Sequence, residues 1–232
     1  MSSKPITLSL ELSGRYGSIA LMNRDGETIT SHPIGGKREE DDVFPSIEKG
    51  ATSLCITPGE IELVAVSIGP GGFTGLRTSV AIAKMVALAS NATIISVETA
   101  IVTVQQANRG DGPFLVISCV KGNQFWLSTI VQKDGNWNCV SNNTSTEALA
   151  SELNAVTGVF ADEFIPDEAR MLIEQHAVPI YQSAPDAMSL LMIGLDLYQA
   201  GNSVDPSELL PLYPREPEAV RVWKARKSPN HT

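Results

Sequence analysis

The chain has 232 residues, 43% hydrophobic, 19% charged and 6% aromatic, with 17 Lys and Arg against 26 Asp and Glu for a net charge of −9. A chain of this length buries about 70% of the surface that its unfolded form exposes, so it needs neither a disulfide framework nor a structural metal to fold, and its acidic body repels the phosphate backbone of nucleic acids. No apolar run approaches the roughly 18 residues of a membrane span, and the polar start Met1 to Pro5 runs directly into a strand pattern rather than a signal-peptide core, so a cytoplasmic protein is expected.

Ile6-Thr7-Leu8-Ser9-Leu10 alternates apolar and polar residues, and Ser18 to Met22 and Thr28 to Thr30 flank the turn Asn23-Arg24-Asp25-Gly26, which predicts three antiparallel strands. Val43, Phe44, Ile47, Gly50, Ala51 and Leu54 recur at helical spacing behind the acidic run Glu39-Glu40-Asp41-Asp42, whose charge suits a helix N-terminus. Glu62 to Ile68 is a β-branched run; it leads through Gly69-Pro70-Gly71-Gly72-Phe73-Thr74-Gly75 into an apolar helix from about Leu76 to Ala89. A strand at Thr93 to Val97 and a helix at Thr99 to Ala107 close the first half at the polar turn 108–112.

The second half begins as the first does. Pro5 and Gly14 correspond to Pro113 and Gly122, and Asp25-Gly26 to Asp134-Gly135, within hairpins of similar length. Helices follow at Thr146 to Leu153, Pro166 to His176 and Pro185 to Ala200, with strands at Gly158 to Ala161 and Val178 to Tyr181. Three leading strands and then alternating helix and strand, twice over, predict two α/β lobes with mixed sheets.

A glycine loop between strand and helix invites a phosphate, because backbone N–H groups and the helix dipole favour an anion there. Its spacing matches neither known code: no lysine stands where a Walker A loop needs one, and Thr74 occupies the third glycine position of the dinucleotide fingerprint. A tight turn capped by Thr74 accounts for the glycines without a ligand. The following helix carries charge only at Arg77 and Lys84, with Leu76, Val80, Ala83 and Ala87 on one stripe and Ile82, Met85, Val86 and Ala89 on another. A helix apolar nearly all round is buried on more than one side, either as core alone or as core plus an interface with another chain.

Catalytic constellations are missing. His32, His176 and His231 form no metal-binding spacing, no C-x-x-C or G-x-S-x-G occurs, and His176 reads as a helix-end residue favoured by the dipole. Cys55, Cys119 and Cys139, an odd number in apolar contexts, are expected to be buried reduced thiols. Neither a catalytic residue nor a metal or other cofactor is assigned from the residues. Arg215, Arg221, Lys224, Arg226 and Lys227 against Glu216 and Glu218 make a basic tail, read as solvated rather than as an RNA or acidic-partner contact.

The loop Gly69 to Arg77 resembles the G-P-G-S-F-T-G-[LV]-R signature of the TsaB (YeaZ) family, accessory proteins of tRNA threonylcarbamoyladenosine synthesis. Phe44-Pro45 with Ile47 looks like that family's L-P-x-I, Ile56-Thr57-Pro58-Gly59-Glu60-Ile61 like its L-S-x-x-E-L, and Asp205 to Arg215 like its terminal P-x-x-L-x-P-x-Y-L-R. This chain departs from the family at Glu11-Leu12-Ser13 in place of D-T-S, Glu39-Glu40 in place of His-Ser, Gly72 in place of the loop serine, and Pro214 in place of leucine.

The resemblance implies an actin-like, ASKHA-type fold of two RNase-H-like lobes, the second reduced: 1–107 with the partner-binding helices, 108–214, and the tail 215–232. It further implies a non-catalytic subunit, an inactive paralogue of the catalytic TsaD, which it binds and activates for threonylcarbamoyl transfer to the adenosine beside the tRNA anticodon. The expected interface is Phe44, Ile47, Ala51, Leu76, Arg77, Val80, Ala83, Lys84 and Ala87, facing TsaD or, in the alternative of a homodimer, a second copy of the chain. A TsaE-like ATPase joins the complex, tRNA is met only through it, and no cofactor or membrane is involved. The alternative is an autonomous ASKHA-type nucleotide-dependent transferase or a glycoprotease-like hydrolase that holds phosphate in the loop. The acid and glycine turn of nucleotide-binding relatives stand here as Glu11-Leu12-Ser13-Gly14, which weakens that alternative.

Overall fold

The computed structural model describes residues 4–32, 43–119, 125–144 and 146–213. Glu39 to Asp42, Gly122, Pro214 and the basic tail lie outside the described residues.

Strands β1 (Thr7–Glu11), β2 (Ser18–Met22) and β3 (Thr28–Ser31) form an antiparallel meander. Helix α1 (Val43–Ser53), a 3-10 turn at Pro58–Glu60, β4 (Leu63–Gly69), α2 (Phe73–Ser90), β5 (Thr93–Glu98) and α3 (Thr99–Ala107) follow. The sequence repeats the series with β6 (Phe114–Cys119), β7 (Phe125–Lys133), β8 (Asn136–Asn143), α4 (Thr146–Leu153), β9 (Gly158–Ala161), α5 (Asp167–Gln175), β10 (Ile180–Gln182) and α6 (Ala187–Gln199). The two sheets run β3-β2-β1-β4-β5 and β10-β9-β6-β7-β8, which is one order written in opposite directions. In each sheet the first strand pairs antiparallel with the second and parallel with the fourth. Gly26 and Gly135 hold the equivalent hairpin position at φ +85° and +78°.

This duplicated mixed-sheet architecture is the actin-like α/β class. The second lobe keeps all five strands, but α5 has 9 residues where α2 has 18, and β9 and β10 have 4 and 3 where β4 and β5 have 7 and 6. Among the described residues no helix is long and apolar enough to cross a membrane.

Alternation along the strands sends side chains to two different layers. Leu8, Leu10, Ile19, Leu21, Val64 and Val66 face α1 and α2 in the outer layer of the first lobe. Ala20, Met22, Leu63, Ala65, Ile95 and Val97 face the opposite way, and α6 covers them with Ala187, Leu190, Leu191 and Leu195. A helix from the far end of the sequence segment 108–214 therefore packs on the first sheet, a placement that local periodicity does not encode. Burying a leucine such as Leu190 or Leu191 contributes about 1.5–3 kcal/mol each. Gly194 permits the close approach, since a Cβ there would sit 2.6 Å from that of Ala65. Reciprocally, Ala100 and Val104 of α3 pack with Phe114, Val116, Ile130 and Phe160 of the second sheet. The third helix of each half thus ties the two lobes together.

Candidate functional site

The glycine loop is shaped by a neighbouring turn. Strand β4 ends at Gly69 with φ +107°, a left-handed conformation that favours glycine. Beyond it, the exit turn of β1 is wedged against the start of α2. Gly72 N–H donates to the Ser13 carbonyl oxygen at 2.6 Å. A Cβ at Gly71 would lie 2.5 Å from that oxygen, and one at Gly75 would overlap the Leu12 carbonyl oxygen. The loop amide that a phosphate would need is thus spent on Ser13, and two carbonyl dipoles point their negative ends at the helix start. Of the two sequence readings, packing accounts for the glycines. Helix α2 also begins earlier than periodicity places it: Gly72 is the N-cap, its carbonyl accepting from Leu76 N–H at 3.0 Å, and Thr74 lies in the first turn rather than capping it.

The inward and outward faces of α2 separate cleanly. Leu76, Val80, Ala83 and Ala87 are at most 7% exposed and pack in the core, as does Ala51 of α1. As folded, these side chains do not reach a partner, which corrects their assignment to an interface. The reason is that their three-to-four-residue spacing aligns them over β4 and β1, where small residues let the helix lie close to the sheet. Ile82 is also buried, so the second apolar stripe divides, with Met85 and Ala89 turned outward. The outward face consists of Arg77, Ala81, Met85 and Leu88, at i, i+4, i+8 and i+11, and Leu88 is 89% exposed. Phe44 stands exposed on α1 in the same layer, while Ile47 and Lys84 are half-buried. Sequence reasoning passed over Ala81 and Leu88 because a helix apolar on every side does not announce which stripe meets the sheet.

Arg77 is engaged within the chain. Its Nε donates to Tyr213 Oη at 3.0 Å and its guanidinium lies 3.9 Å from the centre of the Phe73 ring, a cation–π contact. Leu212 N–H donates to Ile68 O at 2.7 Å, and the buried Leu209 joins the outer core, so the segment before the tail is strapped along the first lobe.

Polar groups gather at the carboxyl ends of β1, β4 and β5. Glu11 is 1% exposed; its Oε1 accepts from Ser13 N–H at 2.9 Å and from the Ser13 hydroxyl. Ser67 and Thr99 hydroxyls meet at 2.7 Å, and Ala187 N–H donates to Ser18 Oγ at 2.8 Å. Among the described residues no three His, Cys, Asp or Glu side chains are placed to hold a metal ion. His176 ends α5 with Nδ1 2.8 Å from Leu172 O, the helix-end position its sequence context predicts. Burial, with Glu98 beside it, pushes the Cys139 thiol up to about 12, so it is no nucleophile at neutral pH. Cys55, expected to be buried, is exposed because the chain turns at φ +54° directly after α1 and carries its side chain outward. The Cys119 side chain lies outside what the structure describes.

A family model described as TsaD, tRNA N6-adenosine threonylcarbamoyltransferase, matches residues 35–188. The chain is 24% identical over 234 residues to the tRNA threonylcarbamoyladenosine biosynthesis protein TsaB of Escherichia coli (strain K12), covering 94% of this chain and 96% of that protein. It is 31% identical over 105 residues to the protein of the same name from Buchnera aphidicola subsp. Schizaphis graminum, covering 45% and 49% respectively. Among solved structures, an uncharacterized protein with similarity to peptidase YEAZ from Pseudomonas aeruginosa superposes with a TM-score of 0.72 at 17% identity, over 91% of this chain and 100% of that one.

Proposed function

The chain belongs to the family whose model describes TsaD, in its TsaB (YeaZ) branch, and from that premise we propose that it serves tRNA threonylcarbamoyladenosine biosynthesis as a non-catalytic subunit. In this reading it binds a TsaD-like catalytic subunit in the cytoplasm through the outer layer of its first lobe and holds that subunit in an active arrangement. A TsaE-like ATPase joins the assembly, and tRNA is met through the complex rather than by this acidic chain alone.

The observation that carries the reading is the outward face of α2. Leu88 at 89% and Met85 at 52% exposure stand beside Ala81 on a helix whose opposite side is core, and Phe44 adds an exposed ring at 58% from α1. Water-facing apolar residues aligned on one helix suit a protein partner, since burying them gains the hydrophobic free energy that exposure forfeits. The autonomous-enzyme alternative has the geometry of the glycine loop against it, where Leu12 and Ser13 carbonyl oxygens occupy the approach a phosphate would take.

The test is transfer of labelled threonine to tRNA in a reconstituted mixture of the cognate catalytic subunit, the ATPase, the adenylate-forming enzyme, ATP and bicarbonate, with and without this chain. Modification is expected only when the chain is present. Equal modification without it would remove the accessory role.

A further inference from the structure

Arg77 is exposed, yet its side chain is held in one place. It turns back along α2 toward the helix start, as helical side chains do, and its guanidinium carbon lies 3.9 Å from the centre of the Phe73 ring. Beside it stands Tyr213, whose hydroxyl accepts from Nε at 3.0 Å and whose ring centre is 5.2 Å from that of Phe73. Tyr213 is fixed in turn by the strap that precedes it, through Leu212 N–H on Ile68 O at 2.7 Å and the buried Leu209. Two segments distant in sequence therefore converge to position one guanidinium.

What is positioned is not satisfied. A guanidinium carries five N–H donors; Nε uses one, and the four on Nη1 and Nη2 have no partner among the described residues. The one ion pair among the described residues joins Arg24 to Glu62, so no carboxylate there neutralises Arg77. Nor does the charge serve the helix. The first turn of α2 holds no acidic residue, and a cation drawn back over that end meets the positive pole of the dipole, where it is disfavoured. Side-chain freedom is lost, and no ionic contact is gained within the described chain.

The planar donor fork of an arginine matches the paired oxygens of a carboxylate or a phosphate. The surroundings choose between them. A net charge of −9 repels the phosphates of a nucleic acid, and the face that continues from Arg77 is the apolar stripe of Ala81, Met85 and Leu88, which suits a protein surface. We propose that Arg77 is a preset receptor for an acidic side chain of the protein that docks on this face. Its Nη1 and Nη2 donors take an aspartate or glutamate carboxylate of that partner as a two-point pair, while Phe73 and Tyr213 fix the direction of approach. The identity of the partner as the catalytic subunit rests on the function proposed above. The pair lies roughly 16 Å along the helix from Leu88, so it sets the register of docking, which apolar contacts alone leave free to slide.

The experiment measures the affinity of the full-length chain and its variants for the cognate catalytic subunit by calorimetric titration at low and at high salt, with and without tRNA, and records the urea midpoint of each variant. Arg77→Gln is expected to weaken binding by about 10-fold or more at low salt, and the loss shrinks at high salt because the missing interaction is ionic. Arg77→Lys keeps the charge without the fork and recovers part of the loss. Tyr213→Phe removes the Nε acceptor but leaves the guanidinium free to pair, so it costs less than Arg77→Gln. Arg77→Glu abolishes binding, and reversing one surface Asp or Glu of the partner to Arg restores it. Unchanged affinity in Arg77→Gln, a loss that salt does not alter and that Tyr213→Phe reproduces, or failure of every single reversal to restore binding would overturn the proposal while partner binding, and with it the proposed function, stands. A loss seen only with tRNA present would assign the fork to a phosphate and overturn it as well. No binding by the unaltered chain at either salt would remove the proposed function and this contact together.

Discussion

Changing Met85 to Glu and Leu88 to Lys together is expected to weaken binding to the proposed catalytic partner by about 100-fold or more, roughly 3 kcal/mol, the scale of losing a central interface anchor, while stability stays within about 0.5 kcal/mol. Both side chains project into solvent in the free chain, so the monomer loses no core contact. Both replacements are good helix formers, and a cation near the end of α2 is favoured by the helix dipole. In a complex, the same two charges would be stripped of water against an apolar surface. Ala83→Asp is the informative contrast. Ala83 is fully buried beneath the helix, and an unpaired carboxylate there costs more than about 4 kcal/mol, so this variant unfolds rather than merely failing to bind. Calorimetric titration paired with urea denaturation separates the cases. Binding by the double variant at unchanged affinity would remove the outward face of α2 from the interface.

Gly75→Ala is expected to destabilise the chain by about 3 kcal/mol or more. The added methyl carbon would overlap the Leu12 carbonyl oxygen, and backbone on both sides must move to admit it. Gly71→Ala, at 2.5 Å from the Ser13 carbonyl oxygen, belongs to the same class. Two controls isolate the cause. At Gly135, with φ +78° and open space around it, alanine meets only the left-handed backbone penalty of about 1 kcal/mol. At Gly59, with open space and no such φ, alanine is neutral or stabilising by about 0.5 kcal/mol. Urea unfolding of the four variants should rank them in that order. A Gly75→Ala chain as stable as Gly59→Ala would mean that the turn after β1 does not press on α2.

Local signals in the sequence carried most of the element boundaries. β2 and α3 are read to the residue, because the apolar run ending at the turn Asn23 to Gly26 and the polar turn after Ala107 are properties of a few neighbouring side chains. The duplicated order of strands was also legible, since Asp25-Gly26 and Asp134-Gly135 mark equivalent hairpins. Orientation was not. On α2 the inward stripe and the outward one are both apolar, and only the sheet beneath decides between Val80 and Leu88. The reason for the glycines at positions 71 and 75 was equally hidden, because it resides in the carbonyl oxygens of Leu12 and Ser13, about sixty residues earlier in the chain. The bond that Arg77 makes to Tyr213, more than a hundred residues on, was likewise not legible. In each instance the missing information is a long-range contact, which no window of neighbouring residues contains.

The packing of α6 on the first sheet governs how the protein can be made. A nascent chain emerges from its N-terminus, yet the face of the first sheet formed by Met22, Leu63, Ala65, Ile95 and Val97 has only Val102 and Ile101 of α3 against it until Ala187 to Leu195 has been translated. The outer layer of α1 and α2 is available early, and the second sheet draws its strands from one continuous stretch. The N-terminal lobe is therefore the last to be sealed, and closure waits for contacts spanning most of the chain. A messenger truncated before codon 187 would yield a product with a largely uncovered apolar sheet face, prone to self-association. Ribosome-bound chains halted before and after α6 should differ accordingly in protease resistance of residues 7–98, with protection arising only in the longer one.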